Sequence, residues 1–314
     1  VSGSNGAVFL VVGCGLIGSS LARAARAFRA AERVLVVEPD DRARAKVVEL
    51  GLADEVSADV GALAPKADLI AVCTPPRVIV EAALGALAAA RPDAVVFDVA
   101  GVKSSVVAGI RKGAKPGGAA FVPAHPIAGT ERSGPEAGFA DLFENRWCIV
   151  TPEGAPRQAV DRVARFWETC GARVAAMGAA EHDALLALTS HVPHLVAYAL
   201  TATARAEQGG VDGDVVRYSA GGFRDFTRIA ASDPVMWRDI FLENRTAVLA
   251  ALDRFEDRLR ELRREVEAGD GAGMQALFAS TRAVRAAIVA EGQETAAPDF
   301  GRPHHGAEPA GEDG

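Results

Sequence analysis

The sequence has no surplus of positive charge: 34 Lys and Arg stand against 41 Asp and Glu, for a net charge of −7 and a pI near 5.5. A field of that sign repels polyanions, which excludes a nucleic-acid or anionic-membrane surface as the working face. Any anionic ligand must be held by a local pocket. Cysteine is sparse as well. Cys14, Cys73, Cys148 and Cys170 are scattered without Cys-x-x-Cys or Cys/His ligand spacing, and a chain of this length has no need of a disulfide framework. The expectation is four reduced thiols in a cytoplasmic protein. Long hydrophobic runs are also missing. The run VFLVVGCGLIGSSLA (8–22) has no basic stretch before it and carries three glycines, so it is not read as a signal sequence. No other stretch reads as the roughly 18 apolar residues that a membrane span requires. Lysine stops early: the five lysines are residues 46, 66, 103, 112 and 115.

What is present suits two cores. With 314 residues, 49% of them hydrophobic, the chain can bury more than one. β-Branched runs at 8–12, 33–38, 68–73 and 94–99 alternate with helical segments near 16–30, 40–50, 76–90 and 103–111. That rhythm predicts a parallel sheet with crossover helices. AFVPAH (120–125), RWCIVT (146–151) and ARVAAM (172–177) read as later strands extending the same sheet, with a helix near 156–170. After residue 177 strand patterns cease. Helices are predicted at 181–207, at 234–268 as one element of about 35 residues, and near 273–291. Asp233-Pro234 starts the second of these, and GDGAG (269–273) ends it.

The fold class expected is therefore α/β: a Rossmann-type dinucleotide-binding domain over 1–176, then an all-α substrate and dimerisation domain over 177–294. A Pro/Gly/acid-rich tail over 295–314 has the composition of a disordered segment. A helix of about 35 residues needs a partner to cover its apolar face, so a homodimer is expected. The charged stretch DRFEDRLRELRREVE (253–267) interleaves acids and bases at three- and four-residue spacing, which reads as a solvated, internally paired face rather than an RNA-binding helix.

The sharpest local signal is GCGLIG (13–18), after a predicted strand and at the start of a predicted helix. Gly13 permits the tight turn, Gly15 lets the backbone approach a pyrophosphate, and Gly18 allows close helix–strand packing. Leu16 and Ile17 complete the loop, and the helix N-terminus offers N–H groups to phosphate. Glu38, 20 residues beyond Gly18, is placed to accept hydrogen bonds from the ribose hydroxyls. A carboxylate there repels a 2′-phosphate, so NAD is expected rather than NADP, with Arg42 nearby as the contrary feature. Thr74 and Pro75 follow the third strand on the same sheet edge and border the nicotinamide half, or simply begin a helix.

On that edge also lies His125, in PAHPIAGTERSG (123–134). Oxidation of an alcohol by hydride loss requires a group that takes the hydroxyl proton, and histidine is the usual choice. On spacing alone, a packed loop histidine is the better fit. Hydroxyacid dehydrogenases of two-domain design commonly use a lysine from the helical part, and here that part has none. It offers instead TSHVPHL (189–195) and GGFRDFTRIAASDPVMW (221–237). His191 and His194 share a helix face, with Pro193 kinking or restarting the helix between them. No third ligand matches them, so no metal is expected. The His304-His305 pair in the tail is weak grounds for a metal. An arginine such as Arg228 suits a substrate carboxylate, although an ordinary surface ion pair would look the same.

Taken in order, GCGLIG, HPIAGTERSG, SHVPHL and GGFRDFTRIAASDPVMW resemble the prephenate/arogenate dehydrogenase family of tyrosine biosynthesis, in its bacterial cyclohexadienyl type, over about residues 8–301. The resemblance implies an NAD-linked oxidative decarboxylation. By the same resemblance His125 takes the proton of the 4-hydroxyl and Arg228 binds the ring carboxylate. Glu131, His194 and Trp237 would shape or gate the pocket, with Asp225 and His191 in support, and Gly129, Thr130 and Glu131 would turn the chain around the substrate. One departure stands out. Many relatives carry a serine before the Val-Lys of this segment, touching both the histidine and the 4-hydroxyl, whereas DVAGVKSS (98–105) has Gly101 there. Ser104 or Ser105 is the candidate substitute, or else a water. Gly101 is also the sole support for a catalytically silent sensor of NAD and an aromatic acid. Another reductase on the same two-domain plan is disfavoured by the missing lysine.

Overall fold

A computed structural model describes residues 7–130, 132–207 and 217–291. Glu131 and the 295–314 tail, with its two histidines, lie outside the described residues. By compactness the chain divides after Asp253.

The first unit is built on a six-stranded parallel sheet in the order β3-β2-β1-β4-β5-β6. Its strands are β1 (Val8–Val12), β2 (Arg33–Val37), β3 (Glu55–Ser57), β4 (Leu69–Val72), β5 (Val95–Asp98) and β6 (Ala120–Val122). Helices α1 (Leu16–Ala27), α2 (Asp41–Glu49), α3 (Val60–Leu63), α4 (Pro76–Ala89) and α5 (Ser104–Gly113) make the crossovers. The central strands are buried on both faces, so they read as unbroken Val/Ile/Leu runs. One face packs Phe9 and Phe97 against Phe166 and Trp167; the other packs Leu10, Leu35, Ile70 and Val96 against Ile79 and Ala83. The strand order reverses between β1 and β4, which opens a crevice at their carboxyl ends.

Of the later strands, the first half of AFVPAH extends this sheet as β6, while its second half and the two that follow do not. After β6 the chain passes through Pro123 into β7 (Ala124–Pro126), which pairs antiparallel with β8 (Trp147–Val150). β8 in turn pairs parallel with β9 (Arg173–Ala176). Proline has no N–H to give to the β5 ladder, so pairing ends at residue 123 and the strand is free to leave for a second sheet. Helix α6 (Arg157–Thr169) covers the join with Phe166 and Trp167.

The helical region departs from expectation in two places. The stretch from 179 is α7 (Ala179–Leu186), a wide π turn over Ala187–His191, then α8 (Val192–Glu207). Pro193, second in α8, cannot continue a regular ladder back into α7, and the wide turn absorbs the mismatch. Contrary to the expectation that no stretch beyond 8–22 would do so, Ala179–Ala206 is long and apolar enough to cross a membrane by length and composition alone. Its polar residues His182 and Asp183 are buried and hydrogen-bonded inside the fold.

After α9 (Gly221–Thr227), the 35-residue helix expected at 234–268 is two: α10 (Pro234–Glu243) and α11 (Arg245–Ala268). Asn244 separates them because its buried amide donates to the Asp183 carbonyl at 2.9 Å and to His191 Nδ1 at 3.1 Å. Asp233 caps α10 through the Met236 N–H, as predicted from its proline-led start.

The second unit, described to residue 291, holds the end of α11 and α12 (Gly271–Ala290). The acids and bases of α11 pair within the helix: Arg260 with Glu256 and Asp257, and Arg263 with Glu267. That is the solvated face expected of them.

Gly18 is the least replaceable residue in the sheet-to-helix join. A Cβ there would lie 2.0 Å from the Gly13 carbonyl oxygen and 3.0 Å from Val11 Cγ1. Backbone cannot yield as a flexible side chain can, so Gly18→Ala should cost about 1–3 kcal/mol, read as a lower urea midpoint. An unchanged midpoint would mean that the β1–α1 contact is looser than described.

Candidate active site

The crevice edge is formed by backbone. Gly13 adopts φ +88°, and a Cβ on it would meet Thr74 Cγ2 at 3.0 Å and the Cys73 backbone at 3.1 Å. At Gly15 a Cβ would meet nothing within 4 Å, so this position faces open space. Helix α1 starts at Leu16 and Ile17 with neither a side-chain cap nor an acid in its first turn, which leaves its N–H groups for a ligand anion. Thr74 Oγ1 is buried without a hydrogen-bond partner, and Pro75 directs the chain into α4. Glu38 is buried at the end of β2, where its carboxylate accepts from the Cys14 N–H at 2.8 Å and the Asp40 N–H at 3.0 Å. It thus fastens the glycine loop to β2, a duty the sequence did not reveal. Open backbone, unused helix N–H groups, an orphaned hydroxyl and a carboxylate at the second strand fit a dinucleotide.

His125 sits in β7, beside this edge, and is held from both sides. The neighbouring Ala124 donates its N–H to Asp98 Oδ1 at 3.3 Å and accepts from Lys103 Nζ at 2.7 Å through its carbonyl. Asp98 and Lys103, both wholly buried, form an ion pair, and Asp98 Oδ2 also accepts from the Ala100 N–H. Burial pushes the Lys103 ammonium down, with Asp98 opposing. On the far side, His125 Nδ1 lies 2.9 Å from His182 Nε2, and His182 Nδ1 lies 2.9 Å from Asp183 Oδ1. Burial raises the Asp183 carboxyl, but bonds from His182, Lys103 and Ser104 outweigh it and hold the group below the usual carboxylate value. Burial, then the neighbouring His182, Lys103 and His191, press His125 well below the usual histidine value.

Gly101 faces the other edge of the ring: a Cβ there would stand 3.7 Å from both His125 Nε2 and Cε1. Ser104, one of the two expected stand-ins, is engaged elsewhere. Ser104 gives its N–H to Asp183 Oδ2 at 2.8 Å, and its place is at the start of α5, behind the histidine pair.

A second cluster comes from the helices. The His194 ring stacks on Trp237 at 3.5 Å between centroids and 22° between planes, and His191 meets the same indole edge-on at 6.0 Å. His194 Nδ1 donates to the Ser190 carbonyl. His191 is buried, and burial lowers it to about 4. The Trp237 Nε1–H is buried without a partner. Burial lowers His194 also, and Arg228 lies near enough to add to that. Arg228 opens a short 3-10 turn over Arg228–Ala231, and it and Asp225 are exposed. Thr130 Oγ1 accepts from the Arg132 N–H at 3.2 Å, turning the loop. Trp237 also packs on Val102, beside Lys103. The structure therefore brings His125, Gly101 and Lys103 to one cluster and His191, His194, Trp237 and Arg228 to another, with His182, Asp183 and Asn244 joining them. Those last three, and the Asp98–Lys103 pair, were not singled out from sequence. The signal available was Glu-His-Asp at 181–183, polar residues in an otherwise apolar helix.

Residues 21–176 match the family described as prephenate dehydrogenase, nucleotide-binding domain, and residues 178–280 match its dimerization domain. The chain is 38% identical over 279 residues to a cyclohexadienyl dehydrogenase of Zymomonas mobilis, covering 88% of this chain and 94% of that protein. It is 32% identical to a prephenate dehydrogenase of Bacillus subtilis, over 81% of this chain and 67% of that one. Among solved structures, Aquifex aeolicus prephenate dehydrogenase in complex with hydroxyphenyl propionate and NAD+ superposes with a TM-score of 0.84 at 32% identity. The match covers 91% of this chain and all of that one. A Synechocystis arogenate dehydrogenase gives a TM-score of 0.74 at 27% identity, covering 90% and 99%.

Three histidines held neutral by burial make stability depend on pH with a definite sign. Their folded values lie below the unfolded one near 6.5, so the unfolded chain binds more protons in between. Stability is complete above about pH 6.5 and falls as pH drops through the folded values, about 4 for His191. His191 alone is worth on the order of 3 kcal/mol over that window. Urea midpoints measured from pH 7 to 4.5 should decline, and less steeply in His191→Gln. Parallel slopes for the two proteins would show that His191 is not buried in its neutral form.

Proposed function

The chain belongs to the prephenate dehydrogenase family, and from that premise we propose that His125 is its base and Arg228 the anchor of the substrate's ring carboxylate. The protein is an NAD-dependent oxidoreductase that decarboxylates prephenate or arogenate oxidatively, on the way to tyrosine. The observation that carries the residue roles is the position of His125. It stands next to the crevice edge, its backbone is clamped through Ala124, and its Nε2 edge faces the gap at Gly101.

NAD, when bound, supplies the acceptor for hydride from the ring carbon that bears the 4-hydroxyl. His125 Nε2 takes the hydroxyl proton as that hydride departs. The ring carboxylate, held by Arg228, leaves as carbon dioxide and its bonding pair enters the ring. The proton then returns from His125 to the phenolic oxygen, so none is gained or lost overall. Aromatisation drives the sequence, and the base contributes about 10²–10⁴ in rate. Glu38 holds the glycine loop and offers its free lone pairs to the ribose hydroxyls, with Gly13, Gly15, Gly18, Leu16, Ile17, Thr74 and Pro75 lining the rest of the dinucleotide path. The unpartnered Trp237 Nε1–H and the bare Nε2 of His194 supply a donor and an acceptor for the substrate's polar groups. His191, Asp225 and Thr130 shape the surrounding wall.

The functional division is proposed at 176/177, in line with the limits of the two family matches. The helical part is proposed to dimerise. Its match to a dimerization domain supports this, as do Leu242, Leu249, Leu259, Phe278 and Val284, each about half exposed or more. Four free cysteines suit a reducing cytoplasm.

Two substitutions test the assignments. His125→Asn should lower kcat by about 10²–10⁴ while NAD affinity, followed by protein fluorescence, stays as it was; full activity would remove the base. Arg228→Gln should raise KM for substrate at least tenfold with a smaller effect on kcat, and an unchanged KM would place the carboxylate elsewhere.

A further inference from the structure

Building on the reading of His125 as the base, we propose that His182 and Asp183 are positioning residues: an Asp183–His182–His125 chain of hydrogen bonds that fixes His125 with a bare Nε2 and stabilises the imidazolium formed there. The proton order follows from what each atom can do. Asp183 Oδ1 accepts the Lys103 N–H at 2.8 Å, and Oδ2 accepts the Ser104 N–H at 2.8 Å. A carboxylate so used is ionised and can only accept. His182 Nδ1, 2.9 Å from Oδ1, must therefore donate. A neutral imidazole with its proton on Nδ1 has Nε2 as acceptor, and that atom lies 2.9 Å from His125 Nδ1. His125 must then carry its proton on Nδ1. Its remaining nitrogen, Nε2, is unprotonated, and this is the one beside the Gly101 gap.

The reverse order would need His182 doubly protonated, a second buried cation in the cluster that already contains the Lys103 ammonium. On the Nε2 side, Gly101 brings no side chain that could set the tautomer. Among the described residues, the charged and titratable groups around the ring include Asp98, Lys103, Cys148, His182, Asp183 and His191. Of these, the carboxylate reached through Nδ1 is Asp183. When Nε2 takes the hydroxyl proton, the cation on His125 is drawn toward that carboxylate through His182. This offsets part of what burial first, and then the neighbouring His182, Lys103 and His191, do to lower the basicity of His125.

Histidine-selective ¹⁵N NMR of the full chain without ligands reads the proton order directly. At pH 7 His125 should show Nδ1 protonated and Nε2 bare, and a protonated Nε2 would overturn the proposal. In kinetics, His182→Leu should lower kcat by about 10²–10⁴, with KM for substrate and for NAD within about threefold. His182→Gln is the conservative variant, because an amide can both donate to Asp183 and accept from His125. It should recover at least tenfold over His182→Leu and keep the bare Nε2. An unchanged kcat in His182→Leu, or no recovery in a folded His182→Gln, would overturn the proposal. A fully active His125→Asn enzyme would instead overturn the base assignment while the spectrum still showed a bare Nε2, so the two failures are separable.

Discussion

The wholly buried ion pair between Asp98 and Lys103 is the interaction on which the rest of the site depends. Asp98 closes β5 and Lys103 precedes α5, so the pair folds back the turn that carries Gly101. Between them they take both backbone groups of Ala124, which fixes the first residue of β7 and hence the ring next to it. The same Lys103 gives its N–H to Asp183 and so anchors the first helix that follows the sheets. A pair like this is poor as a source of net stability, because desolvation consumes most of the attraction. Removing one partner is another matter, since it would strand the other charge at about 3–5 kcal/mol. Its value lies in geometry: one pair sets the position of strand, turn and helix around a single imidazole.

That geometry bears on the proposed role of His125 as a base in an apolar site. Burial and the nearby ammonium favour the neutral ring, which guarantees a free lone pair at neutral pH but weakens its pull on a proton. A carboxylate touching the ring would correct the pull and also raise the value across the whole pH range. Placed one imidazole away, Asp183 is far enough to leave the resting ring neutral and near enough to answer the charge when it forms. The gap at Gly101 fits the same economy of parts. With no side chain at residue 101 on the Nε2 side, orientation of the ring rests on the groups on the Nδ1 side and on the backbone clamp.

Sequence disclosed the features that have a period or a fixed offset. β1, β2, β4 and β5 were legible because parallel strands buried on both faces read as apolar runs, and the glycine loop because Gly13 and Gly18 stand where a side chain would strike backbone. His125 was picked out as the end of a strand of the first sheet, whereas it is the middle residue of β7 in the second. What stayed hidden depends on contacts between distant segments. Pro123 looked like an interruption within one strand, when it is where the chain changes sheets. Asn244 had no periodic signature, yet its amide breaks a helix by reaching Asp183 and His191, 61 and 53 residues away. For Glu38 the sequence suggested a ribose contact and not the bond it makes, because the Cys14 N–H it holds is 24 residues distant.

Asn244 links the two halves of this picture. Its donor nitrogen makes His191 Nδ1 an acceptor, so the neutral ring carries its proton on Nε2, while His194 donates from Nδ1 and keeps Nε2 bare. Two histidines three residues apart, against one indole, are thus set in opposite tautomers by one side-chain amide and one carbonyl. The wide turn at Ala187–His191 and the helix break at 244 therefore belong together, since the first carries His191 to its place and the second delivers the amide that orients it. Both are local departures from regular helix at the positions where a polar group must be aimed.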